Sequence, residues 1–359
     1  MRFPDRVPLG TFPTPLEPLP NLSSELGVEV LVKREDLTGL AFGGNKVRKL
    51  EMLMAEAVAR GAGAVITCGS AQSNHCRCTA AAARKLGLDV ELVLFEGRHN
   101  EPNGNLLLDN LLGAKVEMRP LSDRPHADDL MAAAAARHPN AYVIPFGGSN
   151  DVGTAAYVWG YQELAGQLGA KGIRGGTLVC VTSSGATHAG LALGAALDES
   201  GPRVVGVSIA DPVEACRRRV VALVREAAAL LGVDGTGAEV TVLDGQQGGG
   251  YGVPTPASVK AIRDIARLEG LFLDPVYTSK AMAGLIASAR DFSAPLVFLH
   301  SGGTPALFAY SEELYRPDPV RRPSRGGHGG STSSSGSAAS AREARARTPT
   351  RRGPEGGHR

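Results

Sequence analysis

Six short, almost continuous apolar runs recur along the chain, at residues 28–32, 64–68, 90–95, 177–181, 204–209 and 295–300. Runs this short and this apolar fit strands covered on both faces. The stretches 49–60, 76–86 and 187–197 carry apolar residues at three- and four-residue spacing, as helices packed on a sheet do. Parallel strands need a crossover, and the alternation supplies one, so the chain is confined to an α/β architecture with open, mainly parallel sheets. No internal repeat is visible. Ligands in such folds bind beyond the carboxyl ends of the strands, which is where the polar loops of this sequence fall.

Three of those loops stand out. Gly43-Gly44-Asn45-Lys46 opens a helical stretch with a lysine, against the helix dipole, which argues for a role other than stability. The glycines allow a planar ring to approach the backbone, and burial would lower the amine's proton affinity and make it an imine-forming nucleophile. Gln72-Ser73-Asn74-His75 follows the second strand; it reads equally as an N-cap and as a grip for a carboxylate. Residues 182–187 (Thr182, Ser183, Ser184, Gly185, Ala186, Thr187) read either as an ordinary strand–helix turn or as a phosphate cradle of amides and hydroxyls. Neither a nucleoside triphosphate loop nor a dinucleotide glycine fingerprint is present. One imine-capable lysine beside amide-rich helix starts is what an aldehyde cofactor with a phosphate handle requires. Two later stretches join them. Tyr251 lies among Gly248, Gly249, Gly250 and Gly252, which leaves its ring unpacked unless a ligand covers it, and Tyr277 and Thr278 follow Asp274. His300-Ser301 ends the last apolar run.

Composition narrows the classes. Of the 359 residues, the last 44 hold ten arginines against three acids, so within the net charge of +2 they carry about +7 and the rest about −5. A body of that sign does not suit nucleic acid. Residues 316–359 lack an apolar period and read as a disordered Arg/Gly/Ser-rich tail. No apolar stretch reaches membrane-spanning length and residues 1–5 have no signal core, which points to a cytoplasmic protein without a membrane partner. Five scattered cysteines suit a reducing compartment, and Cys76 and Cys78, one residue apart, do not make a metal site.

Together these stretches resemble the pyridoxal-phosphate family that contains D-cysteine desulfhydrase and 1-aminocyclopropane-1-carboxylate deaminase. The resemblance rests on residues 33–46 (Lys33 through Lys46), 72–75, 145–150, 187–191, 250–254 and 274–278, and runs from about residue 5 to 315. It implies the tryptophan-synthase-β-like (fold type II) architecture. A larger cofactor domain would be built from 1–48 and 157–315, a smaller domain from 49–156, and the molecule would be a homodimer. It implies that Lys46 holds pyridoxal 5'-phosphate through an imine and shuttles protons. Lys49 and residues Ser183, Ser184, Gly185, Ala186 and Thr187 would bind the phosphate, and Asn74 would face the ring hydroxyl. Ser73, Asn74 and His75 would receive the carboxylate of a small amino-acid substrate, Tyr277 would stack on the ring, and Tyr251 would lie on the substrate side. Ser183 and Ala186 stand where the family usually has glycine, and Cys76 and Cys78 replace its usual Val and Gln.

Thr278 and Ser301 bear on the reaction. Similar ring-opening deaminases have a glutamate and a leucine there, and the desulfhydrase branch has hydroxyls. A carboxylate keeps the pyridine nitrogen protonated and the ring a deep electron sink, whereas a hydroxyl suffices when a good leaving group departs from Cβ. The resemblance therefore implies a carbon–sulfur lyase acting on D-cysteine to give pyruvate, ammonia and hydrogen sulfide. The alternatives are another β-substituted amino acid such as cysteate or a chloroalanine, the cyclopropane amino acid, or a non-catalytic pyridoxal-phosphate-binding protein.

Overall fold

The computed structural model describes residues 1–315; the expected tail, 316–359, lies outside the described residues. Ten strands form two sheets. They are β1 (Leu16–Pro18), β2 (Val30–Lys33), β3 (Ala64–Ser70), β4 (Asp89–Phe95), β5 (Lys115–Arg119), β6 (Ala141–Val143), β7 (Thr177–Thr182), β8 (Arg203–Ser208), β9 (Thr241–Leu243) and β10 (Leu296–Leu299). The larger sheet runs β1-β2-β10-β7-β8-β9 and the smaller β5-β4-β3-β6. Every pairing is parallel except β1 with β2.

The six apolar runs became β2, β3, β4, β7, β8 and β10, all interior strands. The four strands absent from the sequence reading, β1, β5, β6 and β9, are the four sheet edges. Edge strands are short and partly open to solvent, so their sequences carry no apolar run as long as those of the interior strands. β9, for example, is half-buried throughout, whereas β2 is buried at every residue.

All strands of the smaller sheet lie between residues 64 and 143, and those of the larger on either side. The chain passes between sheets inside two unbroken helices, Lys46–Ala59 and Asp151–Ala170, so the expected boundaries at 48/49 and 156/157 both fall within helices. The expected helix at 49 in fact starts at Lys46 itself.

A largely buried ion cluster joins these two helices to β2. Arg48 donates to Glu35 through Nε (3.0 Å) and Nη2 (2.7 Å) and to Glu163 through Nη1 (3.0 Å). Lys33 Nζ reaches Glu163 at 2.5 Å and Gln167 at 2.7 Å, and Thr14 donates to Glu35. Arg48 also lies over the rings of Phe12 and Trp159. Burial pushes the Glu35 carboxyl up, but the charge and hydrogen bonds of Arg48, with Lys33 and Thr14, outweigh it and hold the group below the usual carboxylate range.

Removing one partner of such a cluster strands the other charges in the core, at about 3–5 kcal/mol. Arg48→Met should lower the urea midpoint by that amount of stability. Because Glu35 is held low, its contribution is present above its unfolded pKa and is lost as pH falls through the folded value. The parent should therefore lose stability to acid in that range more steeply than Arg48→Met, which a pH series of urea titrations checks.

Candidate active site at the strand ends

Beyond the carboxyl ends of β3, β7 and β10 lies a cavity of about 620 Å³, its open mouth included. It is lined by Asn45, Lys46, Ser73, Asn74, His75, Phe146, Gly147, Val181, Ser183, Ser184, Gly185, Thr187, Tyr277 and Ser301. No carboxylate is among them.

Lys46 is the first residue of its helix, and two glycines put it there. Gly44 (φ 117°) and Gly302 (φ 85°) pass so close that a Cβ on Gly302 would lie 2.6 Å from the Gly44 Cα. Asn45 N donates to the Ser301 carbonyl at 2.9 Å across this contact. Arg77, wholly buried, holds the preceding turn by donating to the carbonyls of Ala41 and Gly43.

The amines of Lys46 and Lys49 both reach the Gly147 carbonyl, at 3.4 and 3.3 Å. Neither has a salt-bridge partner among the described residues. Burial lowers the Lys46 pKa to about 8. Lys49 falls well below its ordinary value through burial and the neighbouring Lys46. Two buried amines without a counter-charge leave the site short of an anion.

The backbone supplies a place for one. The helix Ala186–Ala196 starts at Gly185 (φ 101°) with no side-chain cap, leaving the first N–H groups free to bind an anion. Asn45 Nδ2 donates to Thr187 Oγ1 at 3.0 Å, and Ser149 to Ser184 Oγ at 2.8 Å. Ser183 and Ala186, where glycine was expected, do not disturb this turn. Only Gly185 of residues 183–187 has positive φ, and Ala186 packs its methyl into the core.

Ser73 caps the helix Asn74–Lys85, accepting from Cys76 N at 3.2 Å, and lines the cavity as well. Asn74 Oδ1 accepts from Asn105 Nδ2 (3.0 Å), which turns the Asn74 amide nitrogen outward as a donor. His75 differs from expectation. Thr67 gives its single proton to the Ile144 carbonyl (2.8 Å), so at 2.9 Å it must accept from His75 Nε2. Burial, Lys46 and Lys49 keep the ring neutral, and its Nδ1, bare and without a partner, can only accept. A carboxylate would meet the free N–H of His75 at the helix start, not its side chain.

Tyr277 lines the cavity, and its hydroxyl meets that of Tyr251. Tyr251 lies just behind, its ring edge-on to Tyr277 at 5.8 Å, its hydroxyl 3.1 Å from Ser70 Oγ, and Arg124 near its face. That ring is packed without a ligand, contrary to the reading from its glycine neighbours. Lys49, Ala186 and Thr278 stand behind the lining. Thr278 is fully buried, its hydroxyl donating to Asp274 Oδ1 and accepting from Asp274 N, both at 2.7 Å. Ser301 faces the cavity, and its hydroxyl has no partner among the described residues. Phe146, Gly147 and Arg77 escaped the sequence reading, the 145–150 motif being the only signal for the first two, and Asn45 entered it only as part of the Gly-Gly-Asn-Lys loop.

The family model "Pyridoxal-phosphate dependent enzyme" matches residues 7–302. The chain belongs to this family. It is 44% identical over 327 residues to the D-cysteine desulfhydrase of Klebsiella pneumoniae (strain 342), covering 87% of this chain and 98% of that one. A solved structure described as an ACC deaminase homologue superposes with a TM-score of 0.78 at 38% identity, over 87% of this chain and 96% of that one. A fungal L-serine ammonia-lyase from Rhizomucor miehei shares the fold, with a TM-score of 0.65 at 19% identity, over 85% of this chain and 98% of that one. The cavity fits the family's cofactor on its own terms. Two amines without a counter-charge and an uncapped helix start suit the phosphate, and an amine with a pKa of about 8 suits the aldehyde.

If Lys46 is the aldehyde-binding group, Lys46→Ala loses the visible absorbance of lysine-bound cofactor together with turnover. In the parent apoprotein, uptake of the cofactor should quicken as pH rises through about 8, since the neutral amine is the nucleophile and burial has lowered its pKa to that value. A variant that keeps both the band and the activity, or an uptake profile centred on the ordinary lysine pKa, would overturn the assignment.

Proposed function

We propose that this enzyme eliminates the thiol of D-cysteine, taking up one water and releasing pyruvate, ammonia and hydrogen sulfide. The observation that carries this reading is a cavity with a free Ser301 hydroxyl and no carboxylate in its lining. Its likeness to a D-cysteine desulfhydrase over nearly the whole length of that protein supports it. The homodimer and the cytoplasmic location implied by the resemblance belong to the same reading.

Lys46 would hold the cofactor and take the substrate's α-proton on Nζ, which its lowered pKa equips it to do at neutral pH. Lys49 and the amides and hydroxyls of residues 183–187 would hold the phosphate. Asn74 would donate Nδ2 to the ring hydroxyl, its rotamer fixed by Asn105. Ser73 with the N–H groups of Asn74 and His75 would bind the substrate carboxylate at the helix start. Pyridoxal phosphate, when bound, supplies the electron-withdrawing ring that stabilises negative charge developing at Cα. Tyr277 would cover one face of that ring. Burial keeps the hydroxyls of Tyr251 and Tyr277 protonated, so the pair could deliver a proton to the departing sulfur. Thr278 has already given its proton to Asp274, which leaves Ser301 as the hydroxyl able to donate toward the ring nitrogen.

The test is pyruvate and sulfide release from D- and L-cysteine, cysteate, chloroalanine and 1-aminocyclopropane-1-carboxylate. D-Cysteine should be turned over fastest with both products in equal amount. Faster ring opening, with 2-oxobutyrate as product, would replace this reading by the deaminase one. A second outcome is expected from Ser301→Leu combined with Thr278→Glu. It should depress elimination by at least roughly tenfold, and undiminished thiol release would defeat the argument from the ring nitrogen.

A further inference from the structure

Lys280 has no place in the site just described, yet it is wholly buried, in the first turn of the helix Thr278–Ser288. Its ammonium makes no salt bridge among the described residues. Instead it donates to three backbone carbonyls, Ile209 at 2.8 Å, Gln247 at 2.8 Å and Gly250 at 3.0 Å. Three donors on three acceptors exhaust the group. Placing a cation there has a cost. Burial lowers its pKa to about 8, and the neighbouring charge of Asp274 offsets this only in part. Asp274 itself is committed to the N–H groups of Val276, Tyr277 and Thr278 and to the Thr278 hydroxyl. An apolar side chain would avoid the desolvation of the ammonium but leave three carbonyls without that donor, so the stabilisation of the helix alone does not account for the lysine.

The segments it joins do. Ile209 directly follows β8, whereas Gln247 and Gly250 belong to the loop after β9. That loop holds Gly245, Gly248, Gly249 and Gly250, three of them at positive φ, and so has wide backbone freedom and few side chains to anchor it. Its next residue is Tyr251, whose hydroxyl meets Ser70 and Tyr277. Tyr277 caps the same helix that carries Lys280.

We infer that Lys280 is a positioning residue for Tyr251. Its ammonium fills a cage of three carbonyls and fastens the glycine loop to the helix that presents Tyr277, which sets the meeting of the two tyrosine hydroxyls. The functional side of this inference rests on the reading that Tyr251 serves the substrate; the structural side does not.

Lys280→Met keeps the length of the side chain and removes the donors. In the holoenzyme, amide exchange in residues 247–252 should quicken by about tenfold or more, while residues 183–187 and the cofactor absorbance hold. With D-cysteine, turnover should fall, and Lys280→Met combined with Tyr251→Phe should lose no more than Tyr251→Phe alone. Unchanged exchange in 247–252, or losses that multiply in the double variant, would overturn the inference. If Lys280→Met does not accumulate folded, Lys280→Ala with propylammonium replaces it. Restored exchange protection and turnover, absent with sodium chloride at equal ionic strength, are expected, and no restoration overturns the proposal. Local loosening in a protein whose parent turns over none of the amino acids would instead sink the elimination reading and leave the positioning role standing.

Discussion

The Arg48 cluster is the contact on which the rest of the molecule depends. Arg48 lies two residues after Lys46, Glu35 follows the interior strand β2, and Glu163 is on the second crossing helix. Their hydrogen bonds therefore fix the two helices that carry the chain between sheets. Tyr157 extends the cluster into the site, with its hydroxyl 2.8 Å from Glu35 Oε2 and 3.1 Å from the Asn45 carbonyl. A purely apolar junction of equal volume could be as stable, but it would not fix the direction of the turn that aims Lys46. Directional bonds at a junction of two sheets hold geometry that apolar contact leaves free to slide.

From that junction the site follows as an electrostatic consequence. The core helix places Lys46 and Lys49 one turn apart on one face, and both amines converge on the Gly147 carbonyl. Opposite them the helix Ala186–Ala196 turns its uncapped start toward the same space. The lining carries amines and free helix-start N–H groups and no carboxylate, and its acceptors are carbonyl and hydroxyl oxygens with His75 Nδ1. Such a cavity selects for an anion and, through a partly neutral lysine, for an aldehyde. The family match and the geometry thus point to the same cofactor from independent directions.

The tyrosine side is built differently. Its glycine loop has little packing, and its order comes from hydrogen bonds at two ends, Lys280 on the carbonyls and Ser70 with Tyr277 on the Tyr251 hydroxyl. Tyr310 adds a bond to the Gly252 carbonyl at 2.8 Å. The lysine side is thus held by core helices and the tyrosine side by polar ties, which allows the second to be altered without unfolding the first.

The sequence by itself determined the interior of both sheets, because strands covered on two faces must be mainly apolar, and β2, β3, β4, β7, β8 and β10 are so. It also determined the polar loops that meet at the site, since Gly-Gly-Asn-Lys, Ser73 with its amide-rich helix start, and the turn at Gly185 are local devices whose chemistry is written in adjacent residues. The edge strands were not legible, because a half-solvated strand of three to five residues has no pattern of its own. Nor was the orientation of His75, which depends on Thr67 and, through it, on the Ile144 carbonyl 77 residues further on. Thr278 and Ser301 read as a pair of equal hydroxyls, and only the fold distinguishes them, by giving one to Asp274 and leaving the other open. Lys280 carries no signal of its own in the sequence, and its place is set by three distant carbonyls. Local chemistry is set by neighbours in sequence, but the direction of a proton or a lone pair is set by whichever partner the tertiary structure brings within about 3 Å.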